Sequence, residues 1–166
     1  MQNIFLVGPV RSGKSTIGRA LAKELNLRFF DSDYELEREA GVNLDWVMDI
    51  EGETAFRKKE HILLTNLVLK KGVIIATGGG SILLPENRSL LSSHGKVVYL
   101  KTTIVQQIER NINDKKNVNE NRKKLYHIKK LMKEREPFYA EISDITITTN
   151  EHTLKHIIQK ITKILY

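Results

Sequence analysis

Gly8-Pro9-Val10-Arg11-Ser12-Gly13-Lys14-Ser15-Thr16 places two glycines, a lysine and hydroxyls at the spacing G-x-x-x-x-G-K-[ST], the pattern of a phosphate-binding loop. The chemistry it offers is electrostatic. Gly8 and Gly13 let the backbone turn and approach phosphates with no side chain in the way. Lys14 can reach the β- and γ-phosphates of a nucleoside triphosphate, and the Ser15 hydroxyl can ligate Mg²⁺. Arg11, Ser12 and Gly13 line the same loop, and Thr16 follows in the first helical turn. A second chemical group is Asp31-Ser32-Asp33. On an extended strand its two carboxylates, two residues apart, point the same way. One can hold Mg²⁺, directly or through water; the other can accept a proton from a substrate hydroxyl. The same residues also suit helix N-caps, because a helical pattern begins at Glu35-Leu36-Glu37.

These residues need a scaffold, and the chain supplies one. Asn3-Ile4-Phe5-Leu6-Val7 is a short apolar run that reads as a buried strand. Ile17, Ala20, Leu21 and Leu25 recur at helical spacing after the loop. The loop therefore joins a strand to a helix N-terminus, where unpaired N–H groups and the helix dipole attract phosphate. Arg28-Phe29-Phe30 gives the second strand and ends in the two aspartates. Residues 34–66 read as helices broken by Gly41 and Gly52, with Arg57 beside Phe56 at a helix start. Val73-Ile74-Ile75-Ala76-Thr77 is apolar throughout, as a central parallel strand should be. It runs into Gly78-Gly79-Gly80-Ser81, where backbone amides can come close to a ligand. A short helix over 86–91 comes next, and Lys96-Val97-Val98-Tyr99-Leu100 is a fourth strand. Thr102-Thr103 caps a helix carrying Ile104, Ile108 and Ile112. The Asn-rich 113–121 lacks apolar periodicity and reads as a mobile loop. Leu125, Ile128, Leu131 and Met132 mark a helix ending at Arg135-Glu136-Pro137. Ile145-Thr146-Ile147-Thr148 alternates like an edge strand, and Leu154, Ile157, Ile158, Ile161 and Ile164 form a closing amphipathic helix. Strands alternating with helices argue an α/β fold with a parallel sheet, helices on both faces.

Bulk properties narrow the function. The chain has 166 residues, 40% hydrophobic and 28% charged, which suits one soluble globular domain. It has no cysteine, so disulfides and thiolate metal sites are excluded. The first apolar run is too short for a signal peptide or a membrane span, and the cytoplasm is the expected location. The net charge is +7, with much of the excess between Lys115 and Arg135. Only Tyr126 interleaves those cations. A solvated basic face or a phosphate-facing lid therefore explains them better than a nucleic-acid groove.

Over nearly its whole length the chain resembles the shikimate kinases. The resemblance rests on Gly8-Pro9 opening the loop, Gly13-Lys14-Ser15-Thr16-Ile17-Gly18, and Asp31-Ser32-Asp33. It continues in Glu51-Gly52-Glu53 with Phe56-Arg57, in Ala76-Thr77-Gly78-Gly79-Gly80-Ser81, and in Arg135-Glu136-Pro137-Phe138-Tyr139. The loop alone marks a broad class; the ordered set is far more specific. The resemblance implies one nucleoside monophosphate kinase-like domain over 1–166, a three-layer α/β/α fold with five parallel strands in order 2-3-1-4-5. A helical insertion at about 34–66 would bind the acceptor, and a lid at about 113–124 would close. The implied reaction is ATP-dependent phosphorylation of the shikimate 3-hydroxyl, a step toward chorismate and the aromatic amino acids. Its implied partners are ATP, shikimate and Mg²⁺, with no nucleic acid or membrane, and the chain is expected to be a monomer. Asp33, Arg57, Gly79, Gly80 and Arg135 would hold shikimate, the two arginines clamping its carboxylate. Lys14 and Asp33 would be catalytic, Ser15 and Asp31 would serve Mg²⁺, and Arg110 would pack against adenine.

Two departures from the family pattern bear on catalysis. The family lid usually reads Arg-Pro-Leu just after the position of Lys116, where this chain has Asn117-Val118-Asn119 in a slightly shorter lid. The absent arginine sits over the transferring phosphoryl in the family. Either Lys116, Arg122 or a neighbour substitutes, or catalysis is weaker, since a lysine lacks the planar fork. Arg11 stands where many relatives have glycine, beside the phosphates, and is a second candidate for compensation.

Overall fold

The structure is a computed structural model that describes residues 1–103, 118–150 and 152–166. Its centre is a sheet of β1 (Asn3–Val7), β2 (Arg28–Asp31), β3 (Val73–Ala76), β4 (Gly95–Lys101) and β5 (Ile145–Thr148). All neighbours pair in parallel, in the order β2-β3-β1-β4-β5, as the family resemblance implies. Side chains alternate faces along a strand, and β1 uses both. Ile4 and Leu6 join a core with Ile17, Leu21, Ile157 and Ile161 on one face. Phe5 and Val7 join a core with Phe56, Leu64, Leu91 and Tyr139 on the other. Helices thus cover both faces: α1 (Lys14–Leu25) and α7 (Leu154–Leu165) on the first, α2 (Ser32–Ala40), α3 (Leu44–Glu51), α4 (Glu53–Val68), α5 (Pro85–His94) and α6 (Val118–Ile142) toward the second.

The register decides where the site lies. Leu6 sits opposite Ala76 and Val98, and Asp31 opposite Ala76. The carboxyl ends of β1, β2 and β3 therefore finish level. The segments leaving those ends carry the Gly8 loop, Asp33 and Gly78–Gly80, so all three share one edge, where open α/β sheets bind ligands.

Several local expectations are corrected. The second strand ends at Asp31, and Asp33 lies in the first turn of α2, so the two carboxylates do not share an extended strand. Asp31 is the N-cap of α2: its Oδ1 accepts from the N–H groups of Asp33 (3.1 Å) and Tyr34 (3.3 Å), which stops the strand. The helix expected to end at Pro137 continues to Ile142. A proline inside a helix costs about 3 kcal/mol. The turn beyond it buries Tyr139 and Ile142 and packs Phe138 on the core, each large side chain gaining about 1.5–3 kcal/mol. Of the stretch read as a mobile loop, 118–121 is the start of α6. Asn113 to Asn117, the helix expected after Thr103, Arg110 and Lys116 lie outside the described residues.

Candidate active site

Gly8 leaves β1 with φ +148°, and a Cβ there would sit 2.6 Å from the carbonyl oxygen of Leu100. Only glycine fits, and the chain turns over the end of β4. Gly13, at φ +92°, is the N-cap of α1. Arg11 is also left-handed, at φ +62°, a conformation that costs a non-glycine residue about 1–2 kcal/mol. The loop is closed by Ser12 N donating to Pro9 O (3.2 Å) and Ile17 N donating to Gly13 O (2.8 Å).

Lys14 is buried and folds back into this loop. Its Nζ donates to the carbonyls of Gly8 (2.9 Å) and Pro9 (2.7 Å) and reaches Ser12 Oγ at 3.4 Å. Burial pulls its ammonium down to about 8, against the opposing pull of the Asp33 and Asp31 carboxylates. The lysine is held ready by weak acceptors that phosphate oxygens can replace.

Ser15 donates its hydroxyl to Asp31 Oδ2, while the other oxygen of Asp31 caps α2. Capping and site roles thus coexist on one carboxylate. The Ser15–Asp31 pair presents hard oxygen donors, the ligand type Mg²⁺ takes, usually as one or two protein groups completed by phosphates and water. The residues fit the ion. Asp33 is two residues on, and its carboxyl is pushed up to about 6, first by burial and then by the negative charges of Glu60 and Asp31; Lys14 opposes them. A cavity of about 290 Å³ gathers Arg11, Gly13, Lys14, Ser15, Asp31 and Asp33. Thr16 and Gly79 also line it.

The three glycines explain the far wall. A Cβ on Gly78 would come within 2.6 Å of Asp33 Oδ1; on Gly79 it would meet Val10 and lie 3.6 Å from Arg135 Nη1; on Gly80 it would overlap the Arg57 guanidinium. Gly78 and Gly80 thus make room for polar side chains, and Gly79 for the close approach of Val10. Asp33, Arg135 and Arg57, 102 residues apart at the extremes, converge on one backbone turn. Arg57 is steered by α4: its Nη1 lies 3.0 Å from Glu60 Oε1 and its Nε 3.6 Å from Glu53. Arg57 Nε and Arg135 Nε are buried with no hydrogen-bond partner. The planar guanidinium fork is the group that suits an anionic ligand such as a carboxylate.

Two contributors were missed by sequence reasoning. Glu60 is 2% exposed. It pairs with Arg57, accepts from Ser81 Oγ (3.0 Å) and repels a proton-free Asp33. A signal existed: in α4 position 60 falls on the apolar stripe of Phe56, Leu63, Leu64 and Leu67. Tyr139, in the sequence merely one member of the Arg135–Tyr139 motif, donates its hydroxyl to Gly79 O. It stacks on Tyr99 with ring centroids 5.2 Å apart, and burial pushes its hydroxyl up to about 12. The phenol therefore stays a donor, and it ties α6 to the glycine turn.

A larger cavity of about 650 Å³ opens between α4 and α5 and shares only Arg57 with the site. Ile62, Leu83 and Leu84 form its apolar part, with Lys58, His61, Glu53 and Glu86 also on its lining.

Comparison with known proteins agrees with this geometry. The family model for shikimate kinase matches residues 11–166. A shikimate kinase of Francisella tularensis subsp. holarctica is 50% identical over 169 residues, covering 99% of this chain and 94% of that protein. Among solved structures, the Acinetobacter baumannii shikimate kinase in complex with shikimate superposes with TM-score 0.89 at 39% identity, covering 99% of this chain and 93% of that one. Shikimate kinase from Aquifex aeolicus gives TM-score 0.83 at 30% identity, with 99% and 96% covered. With three quarters of its length and more matched by the family model, and with half its residues shared with a named relative, this chain belongs to the shikimate kinase family.

Proposed function

We infer that the chain is a shikimate kinase, transferring the γ-phosphoryl group of ATP to the 3-hydroxyl of shikimate to give shikimate 3-phosphate and ADP. The observation that carries this is the convergence of Arg57, Arg135 and Asp33 on Gly78–Gly80, beside a cavity lined by Lys14 and Ser15. Two guanidinium groups suit a carboxylate, and the Asp33 carboxylate, which lines the cavity of the phosphate loop, suits hydroxyls. Shikimate carries both on one small ring.

Each residue then has a task. Backbone N–H groups of Arg11 through Thr16 and the Lys14 ammonium hold the phosphates. Ser15 and Asp31 would hold Mg²⁺, which when bound would neutralise phosphate charge. Arg57 and Arg135 clamp the substrate carboxylate bidentately. The backbone amides of Gly79 and Gly80 add donors. Asp33 orients the attacking 3-hydroxyl and takes its proton. A pKa near 6 keeps that carboxylate mostly ionised at neutral pH and still basic enough to accept. Phosphoryl transfer asks chiefly for such positioning and charge neutralisation. The chain works as one domain and as a monomer in the cytoplasm, the helices of about 34–66 supplying the acceptor wall.

The test is coupled ADP release with ATP and Mg²⁺, comparing shikimate, gluconate, CMP and no acceptor. Turnover is expected with shikimate alone and to fall at least about a hundredfold in Asp33→Asn, a general-base loss. ATP binding without transfer to any acceptor would sink this reading.

A further inference from the structure

We propose that the side chain of Arg11 is a catalytic residue, contacting the equatorial oxygens of the γ-phosphoryl group as it transfers. The proposal rests on the kinase reading and deepens it. Three observations carry it. Arg11 holds φ +62° in a loop whose other left-handed positions, Gly8 and Gly13, are glycines. Glycine would adopt that conformation without strain, and strain held at a ligand site points to a role for the side chain that imposes it. Second, Arg11 lines the same cavity as Lys14, Ser15, Asp31 and Asp33, and among the described residues lining it there is no other arginine. Third, the charged residues among the described ones lining that cavity are Asp31, Asp33, Lys14 and Arg11. Among these described residues Lys14 offsets one carboxylate and Arg11 the other.

Lys14 does not make Arg11 redundant. Its Nζ is anchored on the Gly8 and Pro9 carbonyls at the base of the loop and offers one point charge. A guanidinium offers a planar fork that spans two phosphoryl oxygens. In the transfer, the bond between the β–γ bridging oxygen and the γ-phosphorus breaks as the 3-hydroxyl oxygen bonds to that phosphorus. The hydroxyl proton goes to Asp33, and ADP leaves with the bridging electron pair. Charge spreads over the three equatorial oxygens during this passage, and an arginine placed there commonly changes kcat by 10³ or more.

The experiment compares Arg11→Gly and Arg11→Lys with the wild-type chain in shikimate-dependent ADP release, alongside thermal unfolding. Arg11→Gly is expected to lose kcat by about a hundredfold or more, with KM for ATP and shikimate changed less than about threefold and a Tm equal to or above wild type. Arg11→Lys recovers part of the rate. Affinity for ADP alone stays within about threefold, while affinity for ADP–aluminium fluoride with shikimate falls with kcat, as a contact made only in the transition state requires. Arg11→Gly at wild-type kcat overturns the proposal. So does a rise confined to KM for ATP, which marks a ground-state contact, and so does a kcat loss found only in Lys116→Ala or Arg122→Ala. Full rate in Arg11→Lys overturns the guanidinium fork. A wild-type chain without shikimate-dependent turnover would instead defeat the kinase reading itself, so the two failures are distinct.

Discussion

Replacing Asp33 with asparagine should stabilise the ligand-free protein while abolishing its activity. Three carboxylates crowd this corner: Asp33 is raised from 3.8 to about 6 by burial, by Glu60 and by Asp31. A displacement of that size corresponds to about 3 kcal/mol against the charged form. Asp33 is only partly buried, so water screens some of the repulsion. Its charge in the first turn of α2 also gains about 0.3–1 kcal/mol from the helix dipole, which asparagine forfeits. The net expected gain is about 1–2 kcal/mol at pH 7.5, or about 3–6 °C in Tm for a chain of this size. The sign comes from proton linkage. The folded-state pKa lies above the unfolded one, so between about pH 4 and 6 the native state holds a proton that the unfolded state releases. Asp33 therefore costs stability progressively as pH rises through that window, and nothing below it.

The assay is thermal unfolding by circular dichroism, with a chelator present and nucleotide absent, at pH 4 and pH 7.5. The Asp33→Asn advantage should be full at pH 7.5 and close to zero at pH 4. An asparagine variant less stable than wild type at pH 7.5, or one with the same advantage at both pH values, would refute the reasoning. Asp33 would then be held by favourable contacts rather than by a clash of charges.

The far wall gives further expected outcomes. Gly80→Ala places a methyl on the Arg57 guanidinium, yet φ −97° at Gly80 is open to alanine. Steady-state kinetics should show KM for shikimate raised at least about tenfold, the loss of one charge-assisted contact, with Tm near wild type. Tyr139→Phe removes the hydroxyl that Gly79 O accepts. It should cost about 1 kcal/mol by denaturant unfolding and raise KM for shikimate severalfold with little change in kcat. Glu60→Gln removes the negative neighbour ranked next after burial in raising Asp33. The acid limb of kcat/KM for shikimate, expected near pH 6 in the wild type, should move to lower pH. A limb that stays in place would mean Asp33 is not the titrating base.

Much of this site is legible in the sequence because its parts are local. A phosphate loop is nine consecutive residues, and its chemistry depends on spacing that any folded context preserves. The sheet order comes from family resemblance, and alternation of apolar runs already requires a parallel sheet. Misreadings arise where one residue serves two structures at once. The sequence allows Asp31 to be a cap or a metal ligand; one of its oxygens caps the α2 amides and the other accepts from Ser15. The cap ends the strand early and moves Asp33 onto a helix. Pro137 is an ordinary stop signal, but the aromatic turn beyond it has a core to enter, and the signal loses. The Tyr139–Gly79 contact joins residues 60 apart and leaves no local pattern at all. Such long-range ties are what turn a set of motif residues into a site. Arg57 is aimed by Glu60, Gly79 is held by Tyr139, and Ser32 Oγ accepts from Gly78 N at 3.0 Å. The glycine turn is flexible by composition and is fixed by three separate elements, α2, α4 and α6. Its amides can therefore face a substrate without paying to become ordered first.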